Sequence, residues 1–274
     1  MPGAPIPLSL PRHAASPRGV GRAGEIWRLF QEAAVQDSIR VGWPPERYNE
    51  HGSAFVVYGM SVRHHRELRY GEPIHAETWV EDFRRGILSR REVRLHGPDG
   101  PIADGTQRWV HVGADLRPKR APAALMEAFA LAPRDEGEVD LPAAAPLEGA
   151  ERRFAFEIWH GWMDPLGHVN HPAYLDFCDE STSRALGEAG LDPVRMVPVA
   201  EQVDWKRGAG ALERLVVHTR VAGRSGRGDA VLAHRITDEA GALYATATTV
   251  RRLVDDDGEP LLRALGYSEA QSAQ

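Results

Sequence analysis

Asp164-Pro165-Leu166-Gly167 follows Ser16-Pro17-Arg18-Gly19 at an offset of 148 (164 − 16), and this pairing decides the fold. Without gaps, the same offset lays Phe177-Cys178-Asp179-Glu180 on Leu29-Phe30-Gln31-Glu32. It also lays Gly190-Leu191-Asp192-Pro193-Val194-Arg195 on Gly42-Trp43-Pro44-Pro45-Glu46-Arg47. One shared residue arises cheaply by chance. Pro, Gly, Glu and then Gly-x-x-Pro-x-Arg recurring in one register mark a duplicated unit.

Each copy reads the same way. A short apolar strand (Ile6 to Leu10; Phe154 to Trp159) precedes a Pro/Gly turn. A helix follows, over about Glu25–Val41 and about Ala173–Ala189. In the second copy Tyr174, Phe177, Cys178, Ser181, Ala185 and Ala189 recur at three- and four-residue spacing, the stripe of a helix with one buried face. Gly42 and Gly190 stand where a helix C-cap glycine belongs, with proline just beyond. Four β-branched or alternating runs come next in each copy. They are Ala54–Val62, Ile74–Phe83, Ser89–Leu95 and Ile102–Val112, then Val197–Trp205, Leu212–Val221, Ala230–Thr237 and Ala242–Leu253. Pro98-Asp99-Gly100 and Glu239-Ala240-Gly241 are the matching turns between the last two runs. One helix followed by antiparallel strands is an α+β layer arrangement.

Residues 132–150, rich in Ala, Pro and acids, read as a linker between a first domain over 1–131 and a second over 151–258. The polar residues 259–274 read as a loose tail.

Composition narrows the function. A formal net charge of -6 argues against a dedicated nucleic-acid binder. Basic clusters occur at Arg63-His64-His65-Arg66, Arg84-Arg85 with Arg90-Arg91, and Arg117-Pro118-Lys119-Arg120. They are read first as solvated strand faces and loop ends, and second as a docking patch for an anionic carrier. No apolar run reaches the roughly 18 residues a membrane helix needs. Met1 to Leu10, with three prolines, does not look like a signal peptide. The single cysteine, Cys178, rules out an internal disulfide, and a cytoplasmic location is the expectation.

The chemistry concentrates in Trp162-Met163-Asp164-Pro165-Leu166-Gly167-His168-Val169-Asn170-His171-Pro172-Ala173-Tyr174, just ahead of the second helix. Amide groups at a helix start lack intrahelical partners, and the helix dipole favours negative charge there. Such a place can hold the oxyanion formed when a thioester carbonyl is attacked, and Gly167 leaves the main chain open to that approach. The plain alternative is that Asp164, before Pro165, only initiates a turn. His160, His168 and His171 do not make a zinc-like set, so neither metal nor cofactor is expected. Cys178 belongs to the apolar stripe. Ser181 sits in no Gly-x-Ser-x-Gly elbow, so a serine triad is not supported.

Asp-x-x-Gly-His-Val-Asn-x-x-x-Tyr, as Asp164 to Tyr174 spell it, resembles the signature of hotdog-fold thioesterases of the 4-hydroxybenzoyl-CoA thioesterase type. The duplication, Ala76-Glu77-Thr78-Trp79-Val80, Ser89-Arg90-Arg91-Glu92 and Trp109-Val110 look like the double-hotdog acyl-ACP thioesterases. The resemblance implies a tandem hotdog fold, each half an antiparallel sheet wrapped around a long central helix. It implies an enzyme that hydrolyses acyl-ACP or acyl-CoA, as a monomer or a homodimer of the fused pair.

Carried onto this chain, the resemblance makes Asp164 the catalytic carboxylate, as general base or direct nucleophile. Gly167 and His168 supply a backbone donor to the thioester oxygen. Asn170 and Tyr174 hold the loop and helix start, beside His171; some relatives place an acid on this helix facing the site, which makes Glu180 a candidate whose role stays open. Two departures stand out. The family carries asparagine where this chain has Leu166. The family's later acid, often with a cysteine beside it, is replaced by Arg207-Gly208-Ala209-Gly210. In the first copy Ser16, Val20 and Arg22 stand against Asp164, His168 and Asn170. The expectation is therefore one working and one degenerate site, with Tyr58, Met60 and Trp79 of the degenerate half lining the acyl tunnel. A hotdog dehydratase or hydratase, and a non-catalytic acyl-thioester binder, are the alternatives.

Overall fold

In the computed structural model, which describes residues 4–132 and 138–267, two runs of antiparallel strands each follow one long helix. The chain divides into two compact units, one built on Glu25–Asp140 and the other on Leu141 onward.

In the first unit β1 (Ile6–Leu8) leads through a turn to α1 (Ala23–Arg40) and the short α2 (Pro45–Glu50). Then come β2 (Ser53–His64), β3 (Ile74–Arg84), β4 (Leu88–Gly97), β5 (Gly100–Gly113) and the short α3 (Ala123–Ala128). The sheet order is β1-β3-β4-β5-β2, antiparallel throughout. Helix α1 lies on this sheet through Phe30, whose ring occupies the space a Cβ on Gly105 would need. Arg91 Nη1 also donates to Asp37 Oδ2 of the helix at 2.7 Å. Buried Ile26, Trp27, Phe30, Ala33 and Ala34 form the packed face of α1, as a helix with one apolar stripe requires.

The second unit has β6 (Ala144–Pro146), β7 (Arg152–Glu157), α4 (Ala173–Glu188), β8 (Met196–Trp205), β9 (Arg214–Ser225), β10 (Ala230–Asp238), β11 (Leu243–Leu253) and α5 (Glu259–Ala264). Its order is β8-β11-β10-β9, with β6 and β7 both paired to β9. Tyr174, Phe177, Cys178, Ser181 and Ala185 of α4 are buried. Ala189, expected in that stripe, is instead exposed at the helix end, and Leu186 takes the last buried position.

The duplication holds at atomic detail. Trp43 N–H bonds Ser38 O at 2.8 Å and Leu191 N–H bonds Leu186 O at 2.9 Å, the same helix-ending bond 148 residues apart. Gly42 and Gly190 between them adopt φ of 81° and 75°. The short bridges Ala15↔Gly21 and Met163↔Val169 also obey the offset.

Two stretches differ from their expected character. The expected linker contributes β6, which pairs Ala144–Pro146 with Gly223–Ser225, so part of it extends the sheet. Residues 133–137 of that linker lie outside the described residues. The expected tail begins with α5, whose Leu261, Leu262 and Leu265 are buried against Leu186, Leu232 and Leu253. The polar composition hid three apolar residues on one helical face. Residues 268–274 of the tail lie outside the described residues. The second unit also takes in Ser16–Arg18 and Arg22–Gly24, with Arg18 Nε donating to Val194 O at 2.7 Å, so the copies are not parted by a clean cut in the chain.

Candidate active site

The segment ahead of α4 is closed by local bonds that its residue types dictate. Asp164 N–H donates to His168 O at 2.8 Å and Gly167 N–H to Asp164 O at 3.0 Å. These bonds make a tight turn that needs Gly167 at φ 79°, a conformation that penalises a Cβ. Asp164 Oδ1 accepts Leu166 N–H at 2.8 Å, the short side chain bonding to main chain two residues on. Its other oxygen, Oδ2, stands 3.3 Å from His168 Nδ1. That pair is close but lacks hydrogen-bond alignment. The Asp164 side chain is only 11% exposed and that of His168 19%. The carboxylate thus faces inward, one oxygen held by Leu166 N–H and the other beside the His168 imidazole.

Around the turn, Asn170 N–H donates to Trp162 O at 2.9 Å and Val169 N–H to Ala209 O at 2.8 Å. The buried Tyr174 hydroxyl accepts Ala209 N–H at 3.1 Å. Burial pushes that phenol well above the usual tyrosine range. His171 meets Trp205 edge-on, ring centroids 5.4 Å apart. Asp164, Gly167, His168, Asn170, His171 and Tyr174 therefore gather on one turn and one helix start. Tyr174 does so as a brace for residue 209.

The helix start offers fewer donors than its position suggests. The amides of Ala173, Tyr174 and Leu175 donate to the carbonyls of Asn170, His171 and Pro172. The Gly167 amide is taken up by Asp164 O. Among the described residues the His168 N–H has no such acceptor.

The remaining expected residues have their own surroundings. Glu180 is half exposed and paired with Arg184 at 2.8 Å, so it serves the outer face of α4 and not the site. Tyr58 and Met60 belong to β2 of the first unit. Met60 is fully buried there, its sulfur 3.9 Å from Gln107 Nε2. Trp79 donates its indole N–H to Glu81 at 2.7 Å. Most basic clusters are internally paired: Arg66 with Glu72, Arg90 with Glu81 and Arg91 with Asp37. Arg117, Lys119 and Arg120 are exposed. Among the described residues no three His, Cys, Asp or Glu side chains converge as metal ligands would. None of the described helices is long and apolar enough to cross a membrane.

Sequence reasoning noted the segment Arg207–Gly210 as a departure from the family but gave it no role in the site. Gly208 lies directly against His168, and Arg207, Tyr244 and Glu213 tie that segment down. Its signal was the run Arg207-Gly208-Ala209-Gly210, two glycines and an alanine interrupting two strands.

In the first copy the frame persists with different side chains. Gly19 has φ 72°, and Gly21 N–H donates to Leu68 O at 2.8 Å, matching Val169 N–H to Ala209 O. Ser16, Val20 and Arg22 fill the positions of the carboxylate, histidine and asparagine.

Comparison with known proteins agrees with this architecture. Residues 158–265 match the thioesterase-like superfamily and residues 20–128 the acyl-ACP thioesterase N-terminal domain. No curated protein sequence matches the chain. Among solved structures, a putative oleoyl thioesterase from Lactobacillus plantarum superposes with TM-score 0.75 at 15% identity, covering 91% of this chain and 95% of that one. A 12:0-ACP thioesterase from Umbellularia californica gives 0.69 at 17%, covering 91% and 94%. An acyl-ACP thioesterase from Bacteroides thetaiotaomicron VPI-5482 gives 0.69 at 11%, covering 90% and 97%. At such identities these likenesses speak for the fold, a tandem hotdog, while the two family matches speak for the lineage. The chain carries one domain matching the acyl-ACP thioesterase N-terminal domain and one matching the thioesterase-like superfamily, and it hydrolyses acyl thioesters.

Proposed function

We propose that hydrolysis takes place at the Asp164 turn of the second unit, that Asp164 acts as the base for water, and that the acyl group arrives on an acyl carrier protein. The observation that carries the site is the inward-facing carboxylate, one oxygen fixed by Leu166 N–H and the other 3.3 Å from His168 Nδ1.

In this reading a water molecule at Oδ2 loses its proton to Asp164 as its oxygen attacks the thioester carbonyl carbon. The carbonyl oxygen becomes an oxyanion, which the His168 amide meets with a hydrogen bond. One such donor is commonly worth about 3 kcal/mol in the transition state. Collapse of the intermediate breaks the carbon–sulfur bond, and the proton held by Asp164 passes to the departing thiolate. The products are a carboxylic acid and a thiol. Carrier choice rests on the match of the first half to the acyl-ACP thioesterase N-terminal domain. It also draws on the structural relatives named for acyl-ACP substrates.

The test compares thiol release from acyl-ACP, acyl-CoA and acyl-pantetheine for the wild type, Asp164→Asn and Ser16→Ala. Asp164→Asn is expected to slow turnover by about 10²–10⁴-fold with the fold intact. Ser16→Ala is expected to leave it unchanged. Full activity in Asp164→Asn ends the site assignment, and equal kcat/KM for ACP and CoA substrates ends the carrier assignment.

A further inference from the structure

Gly208 has no need of its glycine on backbone grounds. It avoids the left-handed region, so any residue could take its main-chain conformation. What demands glycine is space. A Cβ at 208 would stand 3.1 Å from both Cβ and Cγ of His168 and 3.3 Å from Cδ2. The main chain at 208 is therefore a wall against which the imidazole lies.

The wall is anchored on both sides. After Gly208, Ala209 donates its N–H to Tyr174 of α4 and accepts Val169 N–H with its carbonyl. Before it, the amides of Lys206 and Arg207 both reach Tyr244 O, at 2.7 and 3.3 Å. The Arg207 guanidinium covers the Tyr244 ring at 4.0 Å and donates to its hydroxyl. That hydroxyl donates in turn to Glu213 Oε2 at 2.6 Å. Tyr244 belongs to β11, Tyr174 to α4, and Glu213 immediately precedes β9, so three elements converge on this short segment.

We propose that Lys206–Gly210 is the positioning element of the hydrolytic site. Gly208 sets the orientation of His168 toward Asp164 by direct contact, and the Arg207–Tyr244–Glu213 clasp sets where Gly208 stands. The proposal rests on the reading of Asp164 as the working carboxylate. A 3.3 Å approach between Nδ1 and Oδ2 lies at the edge of hydrogen bonding, so a small tilt of the ring changes what the second carboxylate oxygen meets. Gly208 and Tyr244 are positioning residues, touching no substrate themselves.

The experiment measures kcat, KM and melting temperature for Gly208→Ala and Tyr244→Phe, each alone and combined with His168→Ala. An added methyl forces the imidazole to move by a few tenths of an ångström, and kcat is expected to fall about tenfold with KM unchanged. In the His168→Ala background Gly208→Ala is expected to lose far less, because the imidazole it displaces is gone and only the Cβ contact remains. Wild-type kcat in Gly208→Ala overturns the proposal. So does an equal loss of kcat in both backgrounds. If Gly208→Ala does not fold, Tyr244→Phe carries the same test, since it keeps the ring under Arg207 and removes only the hydroxyl. Asp164→Asn, run alongside, separates the two readings. If it is inactive while both positioning variants behave as wild type, only the positioning role falls. If it is fully active, both fall.

Discussion

Gly19 and Gly167 stand 148 residues apart and hold the same left-handed backbone, φ 72° and 79°, each with open space where a Cβ would project. An alanine at either place meets no clash and is penalised for conformation alone, by about 1–2 kcal/mol. Gly19→Ala and Gly167→Ala are therefore expected to lose similar stability in chemical denaturation. Only Gly167→Ala is expected to lose turnover, because only its turn carries a carboxylate. Equal activity in the two variants would contradict a single working site.

Cys178 is fully buried in α4, and burial pushes its thiol far above the usual cysteine range. Thiolate is the reactive form, so the native protein is expected to resist an aromatic disulfide reagent and to react at one site on unfolding. Cys178→Ala is expected to retain turnover. Rapid native labelling would show that α4 opens.

Glu92 of β4 is buried, and burial outweighs the Thr106 hydroxyl and the Arg94 and Arg90 guanidinium groups, raising its carboxyl to about 7. The folded state then binds this proton more tightly than the unfolded chain does. Its contribution to stability is present below the ordinary glutamate pKa near 4.5 and is lost as pH rises through about 7. Glu92→Gln removes the titration. Relative to wild type, the variant is expected to gain in melting temperature between pH 5 and pH 8. A difference that stays constant with pH refutes the assignment.

Leu262 of α5 is fully buried among Leu186, Leu232 and Leu253. Leu262→Ala is expected to cost about 2–5 kcal/mol in urea unfolding, as for a leucine removed from a packed core. A cost near zero would return this segment to the status of a loose tail.

The order of elements was legible from residues alone, because short-range rules govern it. Period-2 runs, one 3.6-residue stripe, hairpin glycines and C-cap glycines are set by neighbours a few positions apart, and the 148-residue register repeats them. The turn around Asp164 was legible for the same reason, since the bonds that close it, Asp164 N–H to His168 O and Gly167 N–H to Asp164 O, join residues no more than four positions apart. The burial of α5 was hidden, because its leucines find their partners only across the fold. So was the pairing of β6. Whether Glu180 turned inward depended on the rotation of α4, which packing against β9 decides; Ser181 bonds Thr219 at 2.9 Å, and Glu180 is left outside. Gly208 against His168 joins residues 40 positions apart, and Arg207 reaches Tyr244 across 37. Contacts of that reach are made by the sheet bringing strands together, and no local spacing of amino acids encodes them.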